Sequence, residues 1–145
     1  MAMTSRRDFL KTVAEGAAGL TLSAKAPKRL ATDWVTLGNS GIKVTRLALG
    51  TGTFSGRVQR ELGQDGFNRL VRHAYDNGIR FFETAEAYTG MPEMLGTALK
   101  GIPRDSYKLM TKFRWNRGIE DASGRLDSYR RTLNSEYFDI MLIHC

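Results

Sequence analysis

Four side chains able to hold or move a proton, Glu83, Tyr88, Lys112 and His144, stand in a regular relation to the apolar runs of the chain. Glu83 closes the run that begins at Ile79, and Tyr88 follows five residues later. Lys112 closes the run that begins at Tyr107, and His144 closes the run that begins at Phe138. A carboxylate, a phenol, an ammonium and an imidazole brought to one place make a proton-transfer group. Taken singly, each has a plainer reading. Glu83 and Glu86 could be solvated loop residues, Tyr88 a packed aromatic, Lys112 a strand-end charge kept in water, and His144 a ring bonded to nearby backbone. Their recurrence at equivalent points of successive units is what favours chemistry. Metal chemistry has no such support, because the two histidines, His73 and His144, lie 71 residues apart and Cys145 is the single cysteine. Neither a local zinc-ligand spacing nor an intramolecular disulfide is available.

The elements that must position these groups are legible from periodicity. Trp34–Leu37 and Ile42–Thr45 flank Gly38-Asn39-Ser40-Gly41, which predicts a β-hairpin, since Gly and Asn tolerate the positive φ of tight turns. Leu47–Gly50 predicts a short strand ending in the loop Thr51–Phe54. Phe67, Leu70, Val71, Ala74 and Tyr75 make one helical face with Gly78 at its C-terminal end. Met91, Met94, Leu95, Ala98 and Leu99 make a second, with Pro92 early and Gly101 just beyond. A third face runs through Ile119, Ala122, Leu126, Tyr129 and Leu133, although Gly124 within it costs about 1 kcal/mol relative to alanine. Strands are predicted at Ile79–Phe82, Tyr107–Lys112 and Phe138–Ile143, the last so uniformly apolar that it suits burial on both faces. Hairpin, then strict β/α alternation with short connections, argues for an α/β fold with a parallel sheet, either doubly wound or closed into a barrel. The loop after the first strand lacks the third glycine of the dinucleotide fingerprint G-x-G-x-x-G, but pattern alone leaves both architectures open. In a barrel the C-terminal strand ends would meet on one face, where barrel active sites are built.

The segment Gly78-Ile-Arg-Phe-Phe-Glu-Thr-Ala-Glu-Ala-Tyr88-Thr-Gly90 resembles the signature of the aldo-keto reductase family. Leu109–Lys112 resembles the strand that ends in the family's lysine, and Tyr137–His144 resembles its Y-x-D-x-x-L-I-H strand. Leu37–Gly50 resembles its N-terminal hairpin and first strand. The resemblance implies a (β/α)8 TIM-type barrel and an oxidoreductase that reduces a small-molecule carbonyl substrate with NADPH. By the same resemblance Tyr88, Lys112, Glu83 and His144 are the catalytic residues, and Gly52, Thr53, Phe54 and Glu83 contact the cofactor. Tyr88 would be the general acid. A phenol's reference pKa is about 10, so Lys112 would supply the cation that brings it toward neutrality. The acidic residue would hold the lysine, and His144 would orient the carbonyl. The family carries Asp where this chain has Glu83, and a carboxylate displaced by about 1 Å can cost about 100-fold in rate. A full barrel has eight strands in about 250 residues, so the expectation is a barrel truncated after its fourth strand, inactive as a 145-residue chain. The alternative function on the same fold is a non-catalytic nucleotide-sensing or interaction module.

Charge adds a separate feature. Residues 1–30 hold six Lys/Arg against two Asp/Glu, and so carry +4 of the net charge of +7. Beyond them only short pairs such as Arg130-Arg131 occur, with no basic stripe and no motif to suggest nucleic acid. Ser5-Arg6-Arg7-Asp8-Phe9-Leu10-Lys11 matches the twin-arginine export signature, followed by the weakly apolar stretch Thr12–Ala24 and the A-x-A site Ala24-Lys25-Ala26. That stretch is too short to be a stable membrane span. The expected organisation is therefore an export signal at 1–26, a linker at 27–33 and the reductase-like domain at 34–145. Its partner would be the twin-arginine translocation machinery and its location periplasmic or otherwise exported, or cytoplasmic if the leader does not function.

Overall fold

A computed structural model of the chain describes residues 28–114 and 122–144. The proposed leader, Ile119 of the third helical face and Cys145 lie outside the described residues. The chain opens with an antiparallel hairpin, β1 (Trp34–Thr36) and β2 (Lys43–Thr45), in register Val35 opposite Val44. Its turn closes through Leu37 N–H to Ile42 O at 2.9 Å, with Gly38 and Gly41 both at positive φ, as the sequence requires. Residues just before the hairpin are held against it, since the carbonyls of Ala31 and Asp33 accept from the amides of Leu47 and Arg46.

The main body follows as β3 (Leu49–Gly50), α1 (Arg57–Arg60), α2 (Gly63–Asp76), β4 (Phe81–Glu83), α3 (Met91–Ala98), β5 (Lys108–Arg114), α4 (Ala122–Thr132) and β6 (Ile140–His144). The four strands are parallel and lie in the order β3-β4-β5-β6. Strand order therefore equals chain order, with no reversal of the kind that makes the switch-point crevice of a doubly wound sheet. Sequential order is what a barrel requires, and it decides between the two architectures that periodicity left open.

Helices pack on one side of this sheet. Phe67 and Val71 of α2, Met91 and Leu95 of α3, and Tyr129 of α4 meet Phe82 and Leu109 from the strands in one buried cluster. α3 and α4 approach so closely that a Cβ on Gly96 would lie 2.8 Å from the carbonyl group of Leu133. Along β5 the burial alternates, with Leu109 and Thr111 against the helices and Lys108, Met110 and Lys112 on the other face. Thr111 is not wasted there, since its hydroxyl donates to Tyr129 Oη at 2.9 Å. Burial raises the phenol pKa of Tyr129 and keeps it protonated.

Several boundaries differ from the periodicity reading. α1 has no apolar repeat and was not predicted. α2 begins at Gly63, one turn before the first apolar residue of its face. β5 runs two residues past Lys112. β6 begins at Ile140, two residues later than predicted, although Asp139 N–H just before it already donates to Leu109 O of β5. The expectation that this strand is buried on both faces is not met: β6 is the edge of the described sheet, and Ile143 is 69% exposed.

Candidate active site

Each of the four proton-handling residues reaches the same end of the sheet. Glu83 is the last residue of β4 and His144 the last of β6, while Tyr88 sits in the β4–α3 loop. Lys112 stands inside β5 rather than at its end. Glu83 is level with Met110, so Lys112 lies two residues further along, about 6.6 Å at the usual strand rise. His144 lies level with Arg114, two residues further again. Only long side chains can close such a staggered set, and the lysine does so. Its Nζ makes an ion pair with Glu83 Oε1 and donates to Tyr88 Oη at 3.1 Å. The Tyr88 ring stands edge-on to the His144 ring, with centroids 5.7 Å apart.

Solvent is largely withdrawn from the ion pair, whose side chains are 17% and 13% exposed for Lys112 and Glu83. Burial lowers the Lys112 pKa below its ordinary value. The neighbouring carboxylate acts in the opposite sense by favouring the charged ammonium. Removing Glu83 would therefore leave the lysine with burial alone, the arrangement in which an unpaired charge is most costly.

Local folding explains why Tyr88 is held there. A tight turn runs from Ala85, whose carbonyl accepts from Tyr88 N–H, to Met91, whose N–H donates to Tyr88 O. Thr84 N–H and Glu86 N–H donate to the carbonyls of Met110 and Lys112, so the loop extends the β4–β5 ladder before it turns. Glu86 is only half-buried but is not free in solvent. Its carboxylate takes two hydrogen bonds from Arg125 of α4, at 2.9 and 2.5 Å, and one from Arg114 N–H.

Two glycines shape the floor beneath these groups. A Cβ on Gly52 would lie 2.6 Å from Tyr88 Cζ and 2.7 Å from its Oη, so only glycine admits the phenol in this position. A Cβ on Gly50 would lie 3.1 Å from Glu83 Oε2, so the longer acid occupies space that another residue would narrow. Of the other candidates in that loop, Thr53 and Phe54 are exposed, and the Arg57 guanidinium lies 5.0 Å from the centre of the Phe54 ring. Thr51 is buried beneath them and donates to the hydroxyl of Thr84. On the opposite side Nδ1 of His144 is buried with no hydrogen-bond partner among the described residues. A buried polar atom left unpaired is costly.

A model of the Aldo/keto reductase family matches residues 46–145, which span this whole arrangement. The chain belongs to that family. Similar relatives include an L-galactose dehydrogenase of Arabidopsis thaliana, 34% identical over 118 residues, covering 75% of this chain and 36% of the relative. A Glycine max protein named as an aldo-keto reductase is 32% identical over 126 residues, covering 76% of this chain and 35% of its own. Among solved structures, a thermostable aldo-keto reductase in complex with the inhibitor epalrestat superposes with a TM-score of 0.65 at 26% identity, over 77% of this chain and 42% of that one. A glycerol dehydrogenase of Gluconobacter oxydans, at 24% identity and a TM-score of 0.59, shares the fold over 79% of this chain and 40% of its own. The aldo/keto reductase segment described here thus spans about a third of the length of the curated relatives it matches. Its fold is the TIM-barrel type, represented by four successive parallel strands.

Two kinds of contact were not legible in the sequence. Gly50 and Gly52 were visible as glycines, Gly52 already as a cofactor contact, yet only the fold shows which side chain each admits. Asp139, just before β6 begins and so at the other end of the sheet from the site, binds Arg104, Lys108 and Leu109 N–H at 2.7–2.9 Å.

Proposed function

We propose that this segment carries the proton-transfer part of an NADPH-dependent carbonyl reductase. The observation that supports it most directly is Lys112, whose ammonium bridges the Glu83 carboxylate and the Tyr88 hydroxyl. When bound, the reduced nicotinamide supplies a hydride to the carbonyl carbon. Tyr88 gives its hydroxyl proton to the carbonyl oxygen, so the product is an alcohol and the phenolate left behind is stabilised by Lys112. Glu83 keeps the lysine charged and oriented. In this reading His144, whose ring stands edge-on to that of Tyr88, orients the carbonyl oxygen by a hydrogen bond. In this reading Gly52, beside Tyr88, with the exposed Thr53 and Phe54 and with Glu83, contacts the nicotinamide end of the cofactor. Water is kept from the ion pair by burial, which strengthens every electrostatic effect within it.

The test is Tyr88→Phe, assayed for carbonyl reduction and for nucleotide affinity. General acid catalysis contributes about 10²- to 10⁴-fold, so carbonyl reduction should fall by that factor while nucleotide affinity stays within about threefold. Near-normal turnover would place the proton on another group and overturn the role given to Tyr88, whereas no turnover in the parent would favour a nucleotide-sensing or interaction role. The leader supports a further proposal: residues 1–26 act as a twin-arginine export signal and 27–33 as the linker to the domain at 34–145. This rests on Ser5–Lys11 and the A-x-A site, and it would carry a folded, cofactor-loaded protein to an exported location.

A further inference from the structure

One side chain hydrogen-bonds to the main chain of both loops, the one carrying Gly52–Phe54 and the one carrying Tyr88. Arg60, the last residue of α1, directs one guanidinium nitrogen, Nη1, at two carbonyl oxygens: Ser55 O at 2.8 Å and Thr89 O at 2.6 Å. Both loops leave room for it through glycines at positive φ. A Cβ on Gly56 would lie 2.9 Å from Nη1, and one on Gly90 would lie 3.6 Å from Cδ of Arg60. The same loop holds two consecutive non-glycine residues in the left-handed region, Phe54 at φ 48° and Ser55 at φ 54°. Such residues persist only where surrounding contacts over-determine them. Three turn hydrogen bonds, from Ser55, Gly56 and Arg57 N–H to Gly52, Thr53 and Phe54 O, supply part of that constraint. Arg60 supplies the remainder by seizing the Ser55 carbonyl and anchoring it to the residue next to Tyr88.

We propose that Arg60 is a positioning residue that locks these two loops into one unit, and so sets where the Tyr88 hydroxyl stands against Gly52 and the lip at Thr53 and Phe54. The inference rests on the role proposed above for Tyr88. Charge-assisted bonds are the stronger kind, and here one cation serves both loops. Without it the strained turn can relax, and Tyr88 loses its fixed distance from the lip.

Amide hydrogen exchange on the full chain tests the lock without reference to activity. Arg60→Met keeps the alkyl stem and removes the donors. It should accelerate exchange at Ser55 and Gly56 and at Tyr88 and Met91 together, at least tenfold, while Asp139 N–H in the β5–β6 ladder keeps its protection. Acceleration confined to one loop, spread equally to Asp139, or absent from both overturns the proposal. Arg60→Lys, whose ammonium can still donate to both carbonyls, should restore slow exchange to within about threefold. In the unmodified chain the two loop groups should share one opening with a single urea dependence. Two different dependences overturn the lock even if a variant does not fold. Arg60→Met should lower kcat/KM for carbonyl reduction about tenfold. Should Tyr88→Phe prove fully active, the reductase reading fails while the exchange result still judges the lock.

Discussion

Replacing Gly52 with alanine offers a direct measure of how closely the geometry governs the chemistry. The backbone of Gly52 is not in the left-handed region, so alanine is tolerated there by the main chain. The new Cβ, however, would lie 2.6 Å from Tyr88 Cζ, against the 3.5–4.0 Å at which carbon atoms pack. The phenol must retreat by about 1 Å. Its hydroxyl is 3.1 Å from Lys112 Nζ, so the same retreat stretches that bond to about 4 Å, beyond hydrogen-bonding range. A 1 Å misplacement of a reacting group costs about 100-fold in rate, which is about 2.7 kcal/mol of transition-state stabilisation. Tyr88 is only partly buried and can swing outward, so stability should fall by less than the 1–3 kcal/mol typical of an overpacked core. The assay is steady-state carbonyl reduction, followed by loss of nicotinamide absorbance. We expect kcat to fall about 100-fold with the melting temperature nearly unchanged, and no further loss when Gly52→Ala is added to Tyr88→Phe. A Gly52→Ala variant within threefold of the parent kcat would refute the idea that this contact places the proton donor.

Other perturbations address the remaining links. Glu83→Asp shortens the acid by one methylene, and we expect kcat to hold or rise. A fall beyond tenfold in the same assay would show the site to be built around the longer side chain and the space over Gly50. Asp139→Asn removes a carboxylate whose pKa, raised by burial, is lowered more by the bonds from Lys108, Leu109 N–H and Arg104, for a net decrease. Its contribution is therefore complete above the unfolded carboxylate pKa of about 3.9 and is lost as pH falls through the lower folded value. In urea unfolding the variant should be about 2–3 kcal/mol less stable at pH 7, with the gap closing below about pH 4. A gap that is constant with pH would argue against the carboxylate. Residues 1–30 fused to a reporter that works only after folded export should deliver it, and equal delivery with Arg6→Lys plus Arg7→Lys would reject the leader.

The parts that were legible in sequence are those set by local chemistry. The hairpin turn needed glycines, the faces of α2 and α3 needed apolar residues at helical spacing, and the strands followed as apolar runs between them. Placing Glu83, Tyr88, Lys112 and His144 at one end of a sheet followed from the alternation alone. Contacts between distant segments were not legible. Nothing near Asp139 in sequence announces Arg104, 35 residues away. α1 is four residues long with no apolar stripe, and its anchoring Arg60 binds a carbonyl 29 residues further on. Short helices held by tertiary contacts leave no periodic trace.

The substitution of glutamate for the family's aspartate also takes on a different meaning once the register is known. Viewed as a sequence change, Glu83 pushes a carboxylate outward and threatens the lysine. In the sheet, Glu83 is level with Met110 and not with Lys112, so the acid must reach along the strand as well as across it. The extra methylene is taken up along the strand, and the missing side chain of Gly50 leaves the second oxygen unobstructed at the very place a Cβ would narrow. The ion pair is kept, and with it the ammonium that faces Tyr88. What separates a disruptive substitution from an accommodated one here is a glycine 33 positions earlier, on the neighbouring strand.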